Sequence, residues 1–371
     1  MTRGVLVFAV CWAAGLVGFA RLRRLEHPRP DLGAAVGAAA PPPAPRPRVS
    51  VVVPARDEQA ALARTLPALV AALGPGDELL VVDDASGDAT AEVARAHGAR
   101  VVPAGPLPEG WLGKPHACSV GAAHAHGEVL VFVDADTRLS AGALAALARR
   151  VGREPGLLAS LQPCHERGGL AEHAQCLPAL VSVLASGAGV AGCGARPLVF
   201  GPVVAVGRAA YGAHGGHAHP AVRGAVAEDV ALGRAWVGPL AGCVARPGEA
   251  SYRMYPAGPG VRGAVASLGD AWRGWTKNLA VGLGAAPPFP TLCAIAWVAS
   301  IVGGLVTSPW MALASALQVA WLAHRVGGFP AWTALGLPLH AAWFVALVGR
   351  SVWLRVAGGT VRWRGRSVRV R

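Results

Sequence analysis

Lysine is nearly absent from this chain. Of its 34 basic residues only Lys114 and Lys277 are lysine, and the rest are arginine. Charge of any kind is scarce, at 15% of residues against 53% hydrophobic, and a mean hydropathy of +0.42 is too apolar for an ordinary soluble enzyme. The net charge of +13 does not mark a nucleic-acid binder, because the arginines cluster beside apolar blocks rather than in patches interleaved with aromatics. Anionic lipid headgroups suit them better. The seven cysteines (11, 118, 164, 176, 193, 243 and 293) are scattered and never spaced Cys-x-x-Cys, so neither a zinc site nor a disulfide framework is implied. They fit thiols kept reduced in a cytoplasmic compartment.

What is present begins with an apolar run from Gly4 to Ala20, followed at once by Arg21, Arg23 and Arg24. That order reads as a retained transmembrane anchor over residues 1–24, with the arginines and the following domain on the cytoplasmic side. Residues 25–48, rich in Pro and Ala, read as a stiff linker. Three further apolar blocks, Thr291–Val306, Trp310–Ala323 and Ala331–Val348, make 279–350 a transmembrane region of a multi-pass cell-membrane protein. They also raise a conflict. Three spans would put the basic tail, 351–371, outside, whereas its arginines belong inside.

Between these lies a stretch, 49–278, in which strands and helices alternate. Val49 to Pro54, Glu78 to Val82, Arg100 to Val102 and Glu128 to Val133 read as strands, and their alternation with helices predicts a parallel α/β sheet with ligands beyond its carboxyl ends. Ser86 is expected to cap the second of these helices. A helix from Ala225 to Trp236 carries Glu228-Asp229 near its start, and Gly260 to Leu279, with Trp272, Arg273, Trp275 and Lys277, has the Trp-plus-basic make-up of an interface helix.

Two acidic pairs stand at strand ends: Asp83-Asp84 and Asp134-Ala-Asp136. Strand alternation puts Asp134 and Asp136 on one side, and paired carboxylates there suit a hard cation, Mg2+ or Mn2+, that completes its shell with phosphate and water. In isolation the second pair is more simply a turn before a helix capped by Ser140, and it is the convergence of both acidic pairs at strand ends that favours a metal or nucleotide site. The phosphohydrolases that share Asp-x-Asp carry Thr or Val two residues on, where this chain has Arg138.

The order Val49-Ser-Val-Val-Val-Pro-Ala-Arg-Asp-Glu58, Val81-Val-Asp-Asp-Ala-Ser-Gly-Asp-Ala-Thr90, Gly110-Trp-Leu-Gly-Lys-Pro115, Phe132-Val-Asp-Ala-Asp-Thr137, Gly215-Gly-His217 and Glu228-Asp-Val-Ala-Leu-Gly233 resembles glycosyltransferase family 2. Arg253 to Pro256, Gly274 to Asn278 and the tail Gly359 to Arg366 are similar to its membrane-bound members associated with carotenoid and hopanoid glycosylation. The resemblance implies a GT-A fold, a nucleotide-diphosphate sugar donor, a divalent cation and inversion at the anomeric carbon. On it, Asp136 holds the metal with Asp134 nearby. Asp57, Asp83 or Asp84 and Lys114 serve the donor. Asp229 is the base, and Glu228, Arg273 and Trp275 face the acceptor or diphosphate. The Gln-x-x-Arg-Trp motif of processive synthases is replaced by Trp272-Arg-Gly-Trp275, which implies transfer of one sugar to a membrane lipid acceptor. A processive or polyprenyl-phosphate-directed enzyme, or a membrane scaffold with a degenerate transferase domain, are the alternatives.

Overall fold

The computed structural model describes residues 3–25, 46–166, 169–190, 198–246, 248–253, 267–282, 284–357, 360–363 and 366–369. Most of the expected linker, Met254 to Pro256 and the start of the helix expected from Gly260 lie outside these residues.

Helix α1 (Arg3–Phe19) precedes β1 (Val49–Ala55), α2 (Gln59–Ala72), β2 (Glu78–Asp83), α3 (Thr90–Ala96), β3 (Arg100–Pro103), α4 (Gly113–Ala123) and β4 (Val129–Val133). Then come β5 (Thr137–Leu139), α5 (Ala141–Arg153), β6 (Leu158–Gln162), β7 (Cys164–His165), α6 (Leu170–His173), α7 (Cys176–Ala185), β8 (Val203–Gly207), α8 (Arg208–Ala213), α9 (Pro220–Arg223), α10 (Glu228–Ala235), β9 (Leu240–Val244) and β10 (Ala250–Tyr252). The chain closes with α11 (Leu268–Gly282), α12 (Pro288–Thr307), α13 (Pro309–Val326), α14 (Leu337–Val356) and a hairpin of β11 (Thr360–Trp363) and β12 (Arg366–Arg369).

A seven-stranded sheet in the order β3-β2-β1-β4-β8-β6-β9 forms the centre, and β5-β10-β7 a small second sheet. The central strands read as unbroken apolar runs because both their faces are covered: Val49, Val51, Val52 and Val53 of β1 are all fully buried. Each such side chain contributes about 1.5–3 kcal/mol by its burial. The sheet is mixed rather than parallel throughout, since β8 runs antiparallel to both β4 and β6. That reversal brings Gly201 and Pro202, just before β8, to the carboxyl end of β4; the chain leaves β8 at the amino end of β4, where Arg208 N donates to Glu128 O, and α8 and α9 lead it back to the start of α10. Ser86 does not cap α3; its Oγ accepts from Asp57 N at 3.0 Å, and α3 starts at Thr90. Ser140 does cap α5, accepting from Ala143 N at 3.2 Å.

By length and composition two segments, Pro288–Thr307 and Ala331–Val356, are long and apolar enough to cross a membrane. Helix α1 docks on α12, because Gly15 leaves room for the Trp297 indole, which a Cβ there would meet at 2.5 Å. Two buried polar side chains tie this bundle together: Trp297 Nε1 donates to Gln318 Oε1 at 2.7 Å and Gln318 Nε2 donates to Trp12 O at 3.0 Å.

Candidate functional site

The turn after β4 is held from two sides. Asp134 N donates to Pro202 O at 3.0 Å, and the buried Thr65 Oγ1 donates to Ala135 O at 2.7 Å. Asp134 and Asp136 are thereby fixed at the wall of one cavity. Lys114, in the first turn of α4, donates from Nζ to Asp134 Oδ1 at 2.6 Å and to Glu228 Oε1 at 2.7 Å. It ties the strand end to the first turn of α10, where Glu228 and Asp229 also meet the positive end of the helix.

Burial alone would lower the pKa of Lys114, but Asp134, Glu228 and Asp229 hold it well above the ordinary lysine value. Burial likewise works against an ionised Glu228, yet the Lys114 ammonium wins and keeps its pKa low. Asp229 has no such bond to Lys114. Burial and the charge on Glu228 push it up to about 6. Adjacent carboxylates thus differ in proton affinity, one committed to a lysine and the other poised to accept a proton.

The cavity holds about 710 Å³. Its polar end is made by Lys114, Asp134, Asp136, Glu228 and Asp229, with Lys277 and Trp275 from α11; its other end runs between α12 (Ala294, Ile295, Val298, Val302) and α14 (Phe344, Val345, Val348). Trp275 is buried, with Nε1 donating to Gln175 Oε1 at 3.2 Å. Arg273 does not join it. It is exposed and bonded to Asp270 Oδ1 at 2.6 Å, because the helix period turns residue 273 away from the face that carries Trp275.

Asp57, Asp83 and Asp84 lie at the ends of β1 and β2, outside that cavity. Asp57 and Ala85 have φ of 53°, a left-handed conformation uncommon for residues with a side chain. Asp57 Oδ1 accepts from Gly87 N at 2.7 Å and Asp83 Oδ1 from Ser86 N at 3.1 Å, which shapes this loop pair. Asp84 is turned inward: it is buried beside Arg56, whose Nη1 donates to Asp84 O at 2.8 Å, a role in joining β1 to β2. Of the loop histidines, His217 is buried with Nδ1 2.9 Å from Tyr211 Oη, and His219 Nδ1 accepts from Ala221 N at 3.2 Å.

Two site residues escaped the sequence reading. Lys277 had one signal, being one of two lysines in an arginine-rich chain. Gly201 had none, because its role as the surface on which Asp229 rests exists only in three dimensions.

The family model described as Glycosyl transferase family 2 matches residues 50–175. The 4,4'-diaponeurosporenoate glycosyltransferase of Staphylococcus haemolyticus (strain JCSC1435) is 31% identical over 278 residues, 71% of this chain and 70% of that protein. The protein of the same name from Staphylococcus aureus (strain USA300) is 30% identical over 341 residues, 86% of this chain and 88% of its own. Among solved structures, a mannosyltransferase from Pyrobaculum calidifontis in complex with GDP-Man and Mn2+ aligns over 95% of this chain and 97% of its own, with TM-score 0.48 and 22% identity. Glucosyl-3-phosphoglycerate synthase from Mycobacterium tuberculosis, with Mn2+, UDP and glucosyl-3-phosphoglycerate, aligns over 57% and 73%, with TM-score 0.40 and 24% identity. A relative 30% identical across most of both chains establishes that this α/β, GT-A enzyme belongs to glycosyltransferase family 2.

Proposed function

We propose that the enzyme transfers one sugar, with inversion, from a nucleotide-diphosphate sugar to the polar head of a long apolar lipid, carotenoid- or hopanoid-like, taken from the membrane. The observation that carries this is the continuity of the cavity from the Asp229 carboxylate to the apolar space between α12 and α14. A water-soluble acceptor needs no such channel. The names of the staphylococcal relatives point to an acceptor of the same character.

The donor's nucleoside sits on the Asp57–Asp83 loop pair, and its sugar reaches the polar end of the cavity. The acceptor oxygen attacks the anomeric carbon from the face opposite the diphosphate, and the bond to the diphosphate breaks as the new one forms. Asp229 takes the proton when the attacking group is a hydroxyl. Glu228 and Lys114 keep Asp134 and the start of α10 in register. Trp275 walls the reacting sugar. Among the described residues no three His, Cys, Asp or Glu side chains form a complete metal cage. The hard oxygens of Asp136 at the cavity wall, with Asp134 nearby, fit a divalent cation that completes its shell with the diphosphate. Such an ion would offset the charge left on the departing nucleotide. The arginines after α1 support a cytoplasmic position for the catalytic domain.

The test is nucleoside diphosphate release by the full-length protein in nanodiscs, across a panel of nucleotide sugars, with and without lipid extract and with EDTA. Release that needs both lipid and divalent cation, and is lost in Asp136→Ala, supports the proposal. A donor turned over equally well with a soluble acceptor sinks it.

A further inference from the structure

Helix α14 is long and apolar enough to span a membrane, yet its contacts keep both of its ends at the catalytic domain. In the segment that leads from α13 to it, Gly327 O, at the end of α13, accepts from His165 N of β7 at 2.8 Å, and Thr333 Oγ1, four residues before α14, lies 3.1 Å from His173 Nδ1 of α6. At its far end Arg355 Nη1 donates to Ala280 O of α11 at 2.9 Å. Between these, Trp343 packs on Trp272 at 5.2 Å between ring centroids, and Ser351 Oγ donates to Thr276 O at 3.1 Å. The partners follow in the same order, 272, 276 and 280 against 343, 351 and 355, so α14 runs in the same direction as α11 over these residues. Helix α11 itself lies on the domain: Trp275 bonds Gln175, and Gly284 O, just past its end, accepts from Arg234 Nη2 of α10 at 2.9 Å.

Helices α12 and α13 behave differently. They form a hairpin turning at Ser308, whose tip packs on α1: a Cβ on Gly304 would lie 3.0 Å from Phe8 and 3.2 Å from Met311. Their 20 and 18 residues give about 30 and 27 Å of rise, which matches the roughly 30 Å hydrocarbon layer. Trp310, Leu313, Leu317 and Trp321 make an exposed apolar stripe on α13, while its basic end, His324 and Arg325, returns to the domain, where Arg24 Nη2 donates to Arg325 O at 3.3 Å.

We infer that α14 is an in-plane shelf lying with α11 at the level of the lipid headgroups, that α1, α12 and α13 cross the bilayer, and that the basic tail therefore lies on the catalytic side against anionic lipid. This removes the conflict among the arginines. Arg21, Arg24, Arg325 and Arg355 all gather at the domain end of the bundle, as the charge rule requires. It also sets the source of the acceptor, because a cavity between α12 and an in-plane α14 opens to the leaflet that faces the domain.

The experiment labels Thr307→Cys, at the hairpin tip, and Ser367→Cys, in β12, with a membrane-impermeant maleimide in intact and permeabilised cells expressing the full chain. Wild type is the background, and nucleoside diphosphate release by each purified variant reports an intact domain. Labelling of Thr307→Cys in intact cells, with Ser367→Cys labelled only after permeabilisation, is the expected result. Labelling of Ser367→Cys in intact cells would make α14 a span, and protection of Thr307→Cys would mean that the hairpin does not cross. Either outcome overturns the inference and leaves the transferase proposal untouched.

Discussion

Gly201 and the Asp229 carboxylate are in direct contact: a Cβ on Gly201 would overlap Oδ2 and lie 2.9 Å from Cγ. The backbone of Gly201 is thus the surface that sets the orientation of the proposed base. Gly201→Ala forces the side chain of residue 229, the flexible partner, to swing away. Displacement of a catalytic group by about 1 Å costs up to roughly 100-fold. The variant is expected to keep its melting temperature within a few degrees and its donor affinity, and to lose kcat by about that factor. Unchanged kcat would remove Asp229 from the reaction.

Asp229, with its pKa raised to about 6 by burial and Glu228, must be ionised to act as a base. Turnover with a hydroxyl acceptor should therefore fall as pH drops through about 6. The stability effect has the opposite sign. A carboxyl whose pKa is raised on folding weakens the fold when ionised, fully above pH 6 and progressively less as pH falls toward the ordinary aspartate value of 3.8. Asp229→Asn should accordingly lose activity by about 100- to 10,000-fold while raising the melting temperature at pH 7.5, with a smaller gain at pH 5. Thermal scans at the two pH values beside a pH–rate profile check both halves.

The bridge at Lys114 links the end of β4 to the first turn of α10. Lys114→Ala strands Glu228 without its ammonium, and a hydrogen bond to a charged group is worth about 2 kcal/mol. The lysine side chain is 38% exposed, which holds the loss to that level rather than to the cost of a fully buried pair. Glu228→Gln in the same background should recover part of it. A double-mutant cycle by urea unfolding in detergent measures the coupling, and additive losses would show that the two residues do not interact.

Arg273 and Trp275 stand two residues apart on opposite sides of α11. Arg273→Ala, which removes only an exposed contact with Asp270, should leave kcat/KM within about twofold. Trp275→Ala empties part of the cavity wall and should lower kcat by about tenfold or more. Equal losses in steady-state assays would place Arg273 in the site after all.

The sheet from β1 to β4 was readable because its strands are short apolar runs that end in polar turns, a pattern local to the chain. Strands β5, β7 and β10 were not, since two or three residues carry no period, and they form only because the turn after β4 and the segment near Ala250 meet in space. The acidic pair Asp134 and Asp136 was legible as chemistry, and Asp229 through the family resemblance, but the link from Asp134 through Lys114 to Glu228 depends on α8 and α9 carrying the chain from the amino end of β4 back to its carboxyl end. The same limit applies to α14. Twenty apolar residues look alike in a span and in a shelf, and only the contacts with α11 tell them apart.

Ala299 lines the apolar end of the cavity and is exposed on the outer face of α12, where the acceptor would enter. A tryptophan there meets lipid rather than a packed neighbour, so Ala299→Trp should fold, and its indole should narrow the entrance without touching the carboxylates. Interactions lost from the remote part of a substrate weaken its use without altering the reacting groups. The KM for the lipid acceptor should rise by about tenfold, roughly 1.4 kcal/mol, while slow hydrolysis of the nucleotide sugar in the absence of acceptor stays at the wild-type rate. The contrast between the two rates is the decisive reading. If hydrolysis falls in parallel, the substitution has disturbed the donor site. If neither changes, the acceptor does not pass between α12 and α14, and a route along the open side of the sheet has to be considered instead.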